Sequence, residues 1–404
     1  MRVRRLPWVA LLAVLAVLWA LAATQLWETD APAGLRLPEL DADDLFTDAE
    51  LRRSSRYERF LRIDYLFSQA ALLAVLALYA VRGHRLIRES AAGRIGTGMM
   101  LGMLGLALLW LVQLPFGLAA LWWERRHGVS REGYLLWIVD NWLGLAGGFL
   151  FICLALLIVM ALAGVLRDRW WIAGAPAFVG LAVLFAFVYP YLIPGLEPLR
   201  DRELAAQARS LATAQDVREI PVEVEDVGEY TTAPNAEATG LGPSRRVILW
   251  DTLLDGRFED DEIRVVLAHE LGHHAHEHIW KSLGWYALFA VPGTFLIAAA
   301  TRRAGGMVEP RAVPLSLLVL VALQLIAQPV QNVISRRLEA EADWAALEVT
   351  RDPDAAKGLF QRFATTALQQ PSPPTWSYVL LESHPTLMQR IAMAEAWRAR
   401  RQPR

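Results

Sequence analysis

Long apolar runs alternate with polar segments along the 404-residue chain. A helix that crosses the hydrocarbon core of a bilayer needs about 20 mostly apolar residues. Runs that reach or approach this length predict seven spans: Leu6–Leu26, Tyr65–Val81, Thr97–Trp123, Tyr134–Leu166, Trp170–Leu192, Leu283–Ala300 and Val313–Val333. The pattern predicts a mainly α fold, a polytopic membrane helical bundle of about seven spans. Because the first run follows Met1-Arg-Val-Arg-Arg, a cleaved signal peptide is the alternative interpretation of that run.

The polar segments between these runs divide the chain into six predicted parts. These are a first transmembrane helix (1–27), an extramembrane loop (28–62), spans two to five (63–197), a polar insert (198–282), spans six and seven (283–335) and a C-terminal extramembrane segment (336–404). The insert and the C-terminal segment are the places where polar chemistry is expected.

Composition supports a membrane protein and limits its chemistry. Apolar residues make up 55% of the chain and charged residues only 20%, against about 25% charged in a typical soluble domain. The net charge of −2 provides no basic field, so we expect the lipid bilayer and not nucleic acid as a partner. The single cysteine, Cys153, excludes an internal disulfide and a cysteine-rich zinc site. Any metal site must be built from His, Asp and Glu.

The arginines give conflicting information about orientation in the membrane. They cluster at the N-terminus, in 82–94, at 167–169 and in 302–311, and the positive-inside rule would make these regions cytoplasmic. With seven spans, the insert and the C-terminus would then lie outside. The arginines of the C-terminal segment itself argue for the opposite orientation.

One motif in the polar insert has the spacing of a catalytic zinc site. Residues His269-Glu270-Leu271-Gly272-His273 fit H-E-x-x-H, and the apolar spacing around them predicts a helix over 261–278. His269 and His273 would lie one turn apart on one face and could bind one ion, while Glu270 could take a proton from metal-bound water. The alternatives are a chance match or a generic metal tract, since His274, His276 and His278 follow. His274 and His276 are interpreted as neighbours of the site and not as ligands.

A third ligand is predicted downstream. Glu339 and Asp343 share one helix face, which favours Glu339 as the ligand and Asp343 as the hydrogen-bond partner of a zinc histidine, whereas Glu341 would point away. A stripe of Gln324, Gln328, Gln331 and Ser335 leads to Glu339 and predicts a polar chamber that opens onto the metal. Ordinary surface carboxylates and interhelical hydrogen bonds are the alternatives.

Together these motifs resemble a known family, the integral-membrane zinc metallopeptidases that include the type I CAAX prenyl protease and the bacterial heat-shock membrane protease. The resemblance is carried by HELGHHAHEH at 269–278, SRRLEAEAD at 335–343, SHPTLMQRI at 383–391, and Asn235–Gly240 followed by the strand-like 246–250. It implies a gluzincin-type zinc metallopeptidase domain with a small β-sheet, whose substrate is a peptide or protein. It also implies catalytic segments on the cytoplasmic face of the cell membrane.

The resemblance also implies roles for single residues. His269, His273 and Glu339 would bind one Zn²⁺ per chain, Glu270 would be the general base, and Asp343 would be a partner of the metal site or a proton donor. His384 would help to stabilise the oxyanion, and Arg390 would lie near the substrate. Asn235 and Ala236 would belong to an edge strand that pairs with the substrate backbone.

The sequence departs from the family pattern at three positions. His274, Ala340 and Glu341 stand where the family often has an aromatic residue, an aromatic residue and Gln. These differences affect the pocket lining and not the expected metal ligands. A membrane receptor or transporter with an incidental His tract, or an inactive scaffold, are the alternatives to an active endopeptidase.

Overall fold

The computed structural model describes residues 6–32, 34–86 and 92–401. The helices of this part of the chain are α1 Leu6–Trp27, α2 Asp48–Arg82, α3 Gly93–His127, α4 Tyr134–Leu166, α5 Trp171–Val188, α6 Arg202–Ala214, α7 Asp260–Ala275, α8 His278–Thr301, α9 Val313–Thr350, α10 Pro353–Thr366, α11 Thr375–Leu380 and α12 Leu387–Arg401. The strands are β1 Glu197–Pro198, β2 Val222–Glu225, β3 Ala236–Thr239 and β4 Arg246–Trp250. The mainly α fold with a small sheet is confirmed.

A multi-pass membrane bundle accounts for most of the helical length. Within the described residues, six helices are long and apolar enough to span a bilayer: α2, α3, α4, α5, α8 and α9. Over Ala16–Trp27, helix α1 forms a shorter apolar helix that packs against α8. The predicted count of seven is therefore approximate, with six clear candidates and α1 as the additional one.

The predicted extramembrane loop over 28–62 is corrected by the structure, because its second part belongs to helix α2. This helix begins at Asp48, where the Thr47 side chain and Glu50 form a capping box. Charged residues after this cap are accommodated in the helix because their side chains pair with neighbouring polar groups before the apolar part of the helix begins. Arg62 is buried and pairs with Glu58 at 2.6 Å and with Gln370. Only the first half of the segment is a loop.

Helices α8 and α9 cross the predicted boundaries between membrane and extramembrane parts. Helix α8 already begins at His278, before the expected start of span six, and α9 runs unbroken from Val313 to Thr350. The boundaries at 282/283 and 335/336 therefore lie inside helices. As a consequence, Glu339 lies on the part of α9 that continues beyond the predicted membrane span.

A mixed four-stranded sheet lies beside α7, in the order β1-β2-β4-β3. Strand β4 is parallel to β2 and antiparallel to β3, which leaves β3 at the edge. The extramembrane core joins this sheet to the helices through fully buried side chains, including Val247 and Leu249 of β4, Leu267 of α7 and Ile391 of α12. This core holds α7 against α9 and the edge strand.

Candidate active site

Helix α7 presents the H-E-x-x-H residues from inside the core. Glu259 and Glu262 form a capping box at its start, and the positions before the motif are buried. The helix ends at Ala275, because Glu277 adopts a left-handed conformation (φ 54°) that turns the chain into α8. The predicted helix over 261–278 is therefore wrong at its C-terminal end, and His276 does not continue the face of His269.

Three side chains direct donor atoms at one point between α7 and α9. Nε2 of His269 lies 3.1 Å from Nε2 of His273 and 3.2 Å from Oε2 of Glu339. Nε2 of His273 lies 3.6 Å from Oε1 of Glu339. Within the described residues, the polar atoms near the buried Oε2 of Glu339 are imidazole nitrogens of His269 and His384. His269, His273 and Glu339 form a group that could hold a metal ion.

Asp343 and Arg390 lie behind His269. Oδ1 of Asp343 is 2.9 Å from Nδ1 of His269. Arg390 donates from Nε to Oδ2 of Asp343 at 2.8 Å, and its guanidinium lies 4.3 Å from the centre of the Phe360 ring. Arg390 is thus a buried partner of Asp343 and is held on two sides. It is not among the residues that line the neighbouring cavity.

The electrostatic field at His269 favours positive charge. Burial lowers the pKa of His269, but hydrogen bonds and negative charge from Asp343 and Glu339 outweigh burial and raise it to about 10. A proton is one way to neutralise this field, and a divalent cation bound at the imidazole is another. Burial lowers the pKa of His273 to about 3, so that imidazole is held neutral, as a metal ligand must be.

Glu270 is buried beside the three donor residues. Its carboxylate is hydrogen-bonded to the backbone of Ala238 on the edge strand. Burial, together with the charge of Glu339, raises the pKa of the Glu270 carboxyl to about 7. A carboxyl with a pKa near neutrality is suited to accept and release a proton.

His384 reaches the site from the loop before α12. Its Nε2 lies 3.5 Å from Oε2 of Glu339, and its Nδ1 lies 3.0 Å from the Ser383 hydroxyl. The side chain is 53% exposed, which leaves it accessible to a ligand in the cleft.

Asn235 and Ala236 lie where strand β3 begins. The carbonyl of Asn235 accepts a hydrogen bond from the amide of Trp250 at 3.0 Å, so its backbone faces β4. In the antiparallel register, Ala236 and Ala238 lie opposite Leu249 and Val247, at positions whose backbone groups point to the open edge. The edge groups thus belong to Ala236 and Ala238, of which the Ala238 N–H already donates to Glu270, and Asn235 precedes them with an exposed side chain.

A cavity of about 400 Å³ adjoins the donor group on the membrane side. Its lining includes Gln331, Ser335 and Glu339, the lower part of the predicted polar stripe. Gln324 is exposed elsewhere, and Gln328 contacts the Tyr65 hydroxyl at 3.3 Å. Most of the remaining wall is apolar or aromatic: Ala238, Ile279, Trp285, Tyr286, Phe289, Ile334 and Leu338. The expected polar chamber is therefore an amphipathic one with a polar strip on α9.

A second group of polar residues was not expected from the sequence. Glu341 is 1% exposed and accepts hydrogen bonds from His278 and Lys281. Glu341 points away from the donor group, as expected, but the start of α8 approaches α9 from that side and supplies its partners. The contact depends on the turn at Glu277 between α7 and α8, for which the sequence offers no spacing signal.

Comparison with known proteins agrees with this geometry. The model of peptidase family M48 matches residues 198–398, and the model described as "CAAX prenyl protease N-terminal, five membrane helices" matches residues 36–196. Together the two matches cover the membrane bundle and the domain with the donor group.

Two curated relatives and one solved structure illustrate the similarity. The chain is 29% identical over 299 residues to the uncharacterized metalloprotease YhfN of Bacillus subtilis, covering 70% of each chain. It is 27% identical over 302 residues to a CAAX prenyl protease 1 homolog of Arabidopsis thaliana, covering 70% of this chain and 69% of the relative. The fold matches the crystal structure of S. mikatae Ste24p with a TM-score of 0.71, 21% identity, and coverage of 95% and 96% of the two chains.

The two family matches meet between α5 and α6, so the second match includes the H-E-x-x-H helix together with the membrane helices α8 and α9. The chain therefore belongs to peptidase family M48 and is a multi-pass membrane metallopeptidase.

Proposed function

We propose that the chain is a zinc-dependent endopeptidase that holds one Zn²⁺ with His269, His273 and Glu339. Zinc bonds of about 2.1 Å in a tetrahedral site place neighbouring donor atoms about 3.4 Å apart. The donor separations of 3.1, 3.2 and 3.6 Å lie near this value, the last two being measured to different oxygens of the Glu339 carboxylate. The buried Oε2 of Glu339, with imidazole nitrogens as its neighbours, also fits a metal ligand. This donor geometry is the observation that carries the proposal.

The residues around the proposed ion would have separate roles in peptide hydrolysis. A bound zinc ion would lower the pKa of its water and polarise the scissile carbonyl. Glu270 would take a proton from the attacking water and transfer it to the leaving amine. His384, exposed in the cleft, would donate to the developing oxyanion, and removal of such a donor costs about 3–4 kcal/mol of transition-state stabilisation. Asp343 would orient His269.

The substrate is proposed to be a membrane-associated or prenylated-type peptide. An extended substrate segment would add to the open edge of β3, where Ala236 offers its N–H and carbonyl and Ala238 offers its carbonyl. The cavity below Glu339, with Trp285, Tyr286 and Phe289, would receive an apolar group. Relatives are named CAAX prenyl proteases, which favours a lipid-modified peptide. The resemblance implies a cytoplasmic site, and this orientation stays a prediction.

The test compares Glu270→Gln with the wild type in the purified full chain. We expect bound zinc to stay at one ion per chain and cleavage of a fluorogenic prenylated peptide and of casein to fall by about 100-fold or more, because the proton acceptor is gone. Asp261→Asn, an exposed position at the start of the same helix, is the matched control and should keep full activity. Equal activity in Glu270→Gln and wild type would refute the mechanism. Zinc bound equally well by Glu339→Ala would refute the ligand set.

A further inference from the structure

A chain of buried hydrogen bonds leads from His273 away from the donor group. Nδ1 of His273 lies 2.8 Å from Nδ1 of His278, and Nε2 of His278 lies 2.9 Å from Oε2 of Glu341. His278 is 3% exposed and Glu341 is 1% exposed, so water cannot replace either partner. The chain connects α7, the start of α8 and α9.

The direction of these hydrogen bonds is set by the carboxylate end. A carboxylate only accepts, so Nε2 of His278 carries the proton, and Nδ1 of a neutral His278 ring is then an acceptor. Nδ1 of His273 then has to be the donor. A neutral imidazole with a proton on Nδ1 has its lone pair on Nε2, which is the atom that faces His269 and Glu339.

The opposite proton arrangement is disfavoured by the same contacts. It would place a proton on Nε2 of His273, where a metal must bind, and an unprotonated Nε2 of His278 against the Glu341 carboxylate. Two lone-pair atoms at 2.9 Å repel each other. The carboxylate therefore favours the one tautomer of His273 that can coordinate a metal.

Glu341 is itself fixed as an acceptor by donors on two sides. Nζ of Lys281 lies 3.0 Å from Oε2, and the amide of Asp30 donates to Oε1 at 2.5 Å. Asp30, His276 and Glu341 also form a group with metal-ligand atoms close together. The Lys281 ammonium already compensates the charge of Glu341, so this group acts as a hydrogen-bonded anchor rather than as a second cation site.

We propose that Glu341, through His278, is a positioning residue that selects the metal-binding tautomer of His273. The proposal rests on the metal site of the proposed function and adds two residues to its support. His269 has a carboxylate of its own, Asp343, at 2.9 Å from Nδ1. Among the described residues, the partner of Nδ1 of His273 is His278 and not a carboxylate, so His273 receives the same support from Glu341 by way of a second imidazole.

The test measures zinc affinity of the full chain in detergent by competition with a chromogenic chelator. Glu341→Leu removes the acceptor and should weaken zinc binding by about 10–100-fold. Glu341→Gln loses the charge but keeps a carbonyl that can accept from His278, and should stay within about threefold of wild type. Glu348→Leu, further along the same helix and bound to Trp397 and Arg401, is the matched control and should leave zinc affinity unchanged.

A double variant separates action through His278 from a general loss of packing. In the His278→Leu background, Glu341→Leu should cause no further loss of zinc affinity. Equal losses in Glu341→Leu and Glu341→Gln, or additive losses with His278→Leu, would overturn the proposal. A wild type that binds no zinc would instead refute the proposed function, so the two failures are distinguishable.

The tautomer can also be read without any variant. In metal-free wild type labelled with ¹⁵N-histidine, NMR at neutral pH should show His273 protonated on Nδ1 and His278 on Nε2. Protonation of His273 on Nε2 would overturn the proposal even if the Glu341 variants fail to fold.

Discussion

At the scale of single residues, the Asp343–Arg390 pair shows how a charge can be buried next to a metal site. The two side chains are 5% and 11% exposed, and Arg390 donates to both oxygens of Asp343. Such a pair is strongly destabilising to break, because the remaining charge has no partner. This role differs from the substrate contact that the resemblance implies for Arg390.

Replacing the arginine distinguishes the two roles. Arg390→Met should lower the free energy of unfolding by about 3–5 kcal/mol and weaken zinc binding, because Asp343 loses its partner and His269 its orientation. Arg398→Met, which breaks a more exposed pair with Asp354, should cost only about 0–1 kcal/mol. Chemical unfolding of the metal-free proteins measures both. A higher KM with unchanged stability would instead support direct substrate binding.

Much of the candidate site could be predicted from spacing alone. His269, His273 and Glu339 meet because i, i+4 spacing on a helix and a carboxylate on a second helix are sufficient to describe a three-ligand site. The role of Glu341 could not be predicted in this way. Its position opposite Glu339 on a helical wheel is correct, but only the packing of α8 against α9 decides that this side is buried.

At the scale of elements, hydropathy predicted what lies in the membrane better than where helices begin and end. Helix α4 has the predicted bounds, Tyr134–Leu166, and strand β4 has the expected bounds, Arg246–Trp250. Helix α2 begins 17 residues before the apolar run because a capping box at Thr47 starts it. Helix α7 ends at Ala275, shortly before Glu277 adopts a left-handed backbone conformation. A glutamate in the sequence does not indicate that conformation, so this helix end could not be predicted.

The edge strand offers a prediction at this scale. The backbone N–H of Ala236 points to the open edge and makes no ladder bond to β4, so proline is compatible with the sheet there. Ala236→Pro should reduce kcat/KM for a peptide by about tenfold or more while zinc affinity stays unchanged, because a substrate strand loses a donor. Ala236→Val keeps the N–H and serves as the control. Unchanged kinetics in the proline variant would exclude pairing of substrate at this position.

At the scale of the whole molecule, both ends of the membrane bundle carry arginines. The ion pairs Arg94–Glu309 and Arg302–Asp168 connect the end of the bundle far from the metal group. The described residues of this end include eight arginines and two carboxylates: Arg82, Arg85, Arg94, Arg167, Arg169, Arg302, Arg303, Arg311, Asp168 and Glu309. At the metal end, the described residues near the membrane include nine arginines: Arg36, Arg52, Arg53, Arg56, Arg59, Arg62, Arg125, Arg126 and Arg131.

These arginines do not decide the orientation of the chain in the membrane. The positive-inside rule counts Lys and Arg within about 15–20 residues of the ends of a span, and both ends of the bundle carry arginines there. The family resemblance implies that the metal end faces the cytoplasm, and one labelling experiment tests this prediction.

The single native cysteine makes that experiment direct. In a Cys153→Ser background, Arg303→Cys at the end far from the metal group should react with a membrane-impermeant maleimide in intact bacterial spheroplasts, whereas Arg36→Cys at the metal end should react only after lysis. Both positions are exposed, so both should label equally in detergent. The reverse pattern would place the peptidase site outside the cytoplasm and contradict the orientation that the resemblance implies. Since a periplasmic and a cytoplasmic peptidase meet different substrates, the result also decides whether a prenylated cytoplasmic peptide can reach the site.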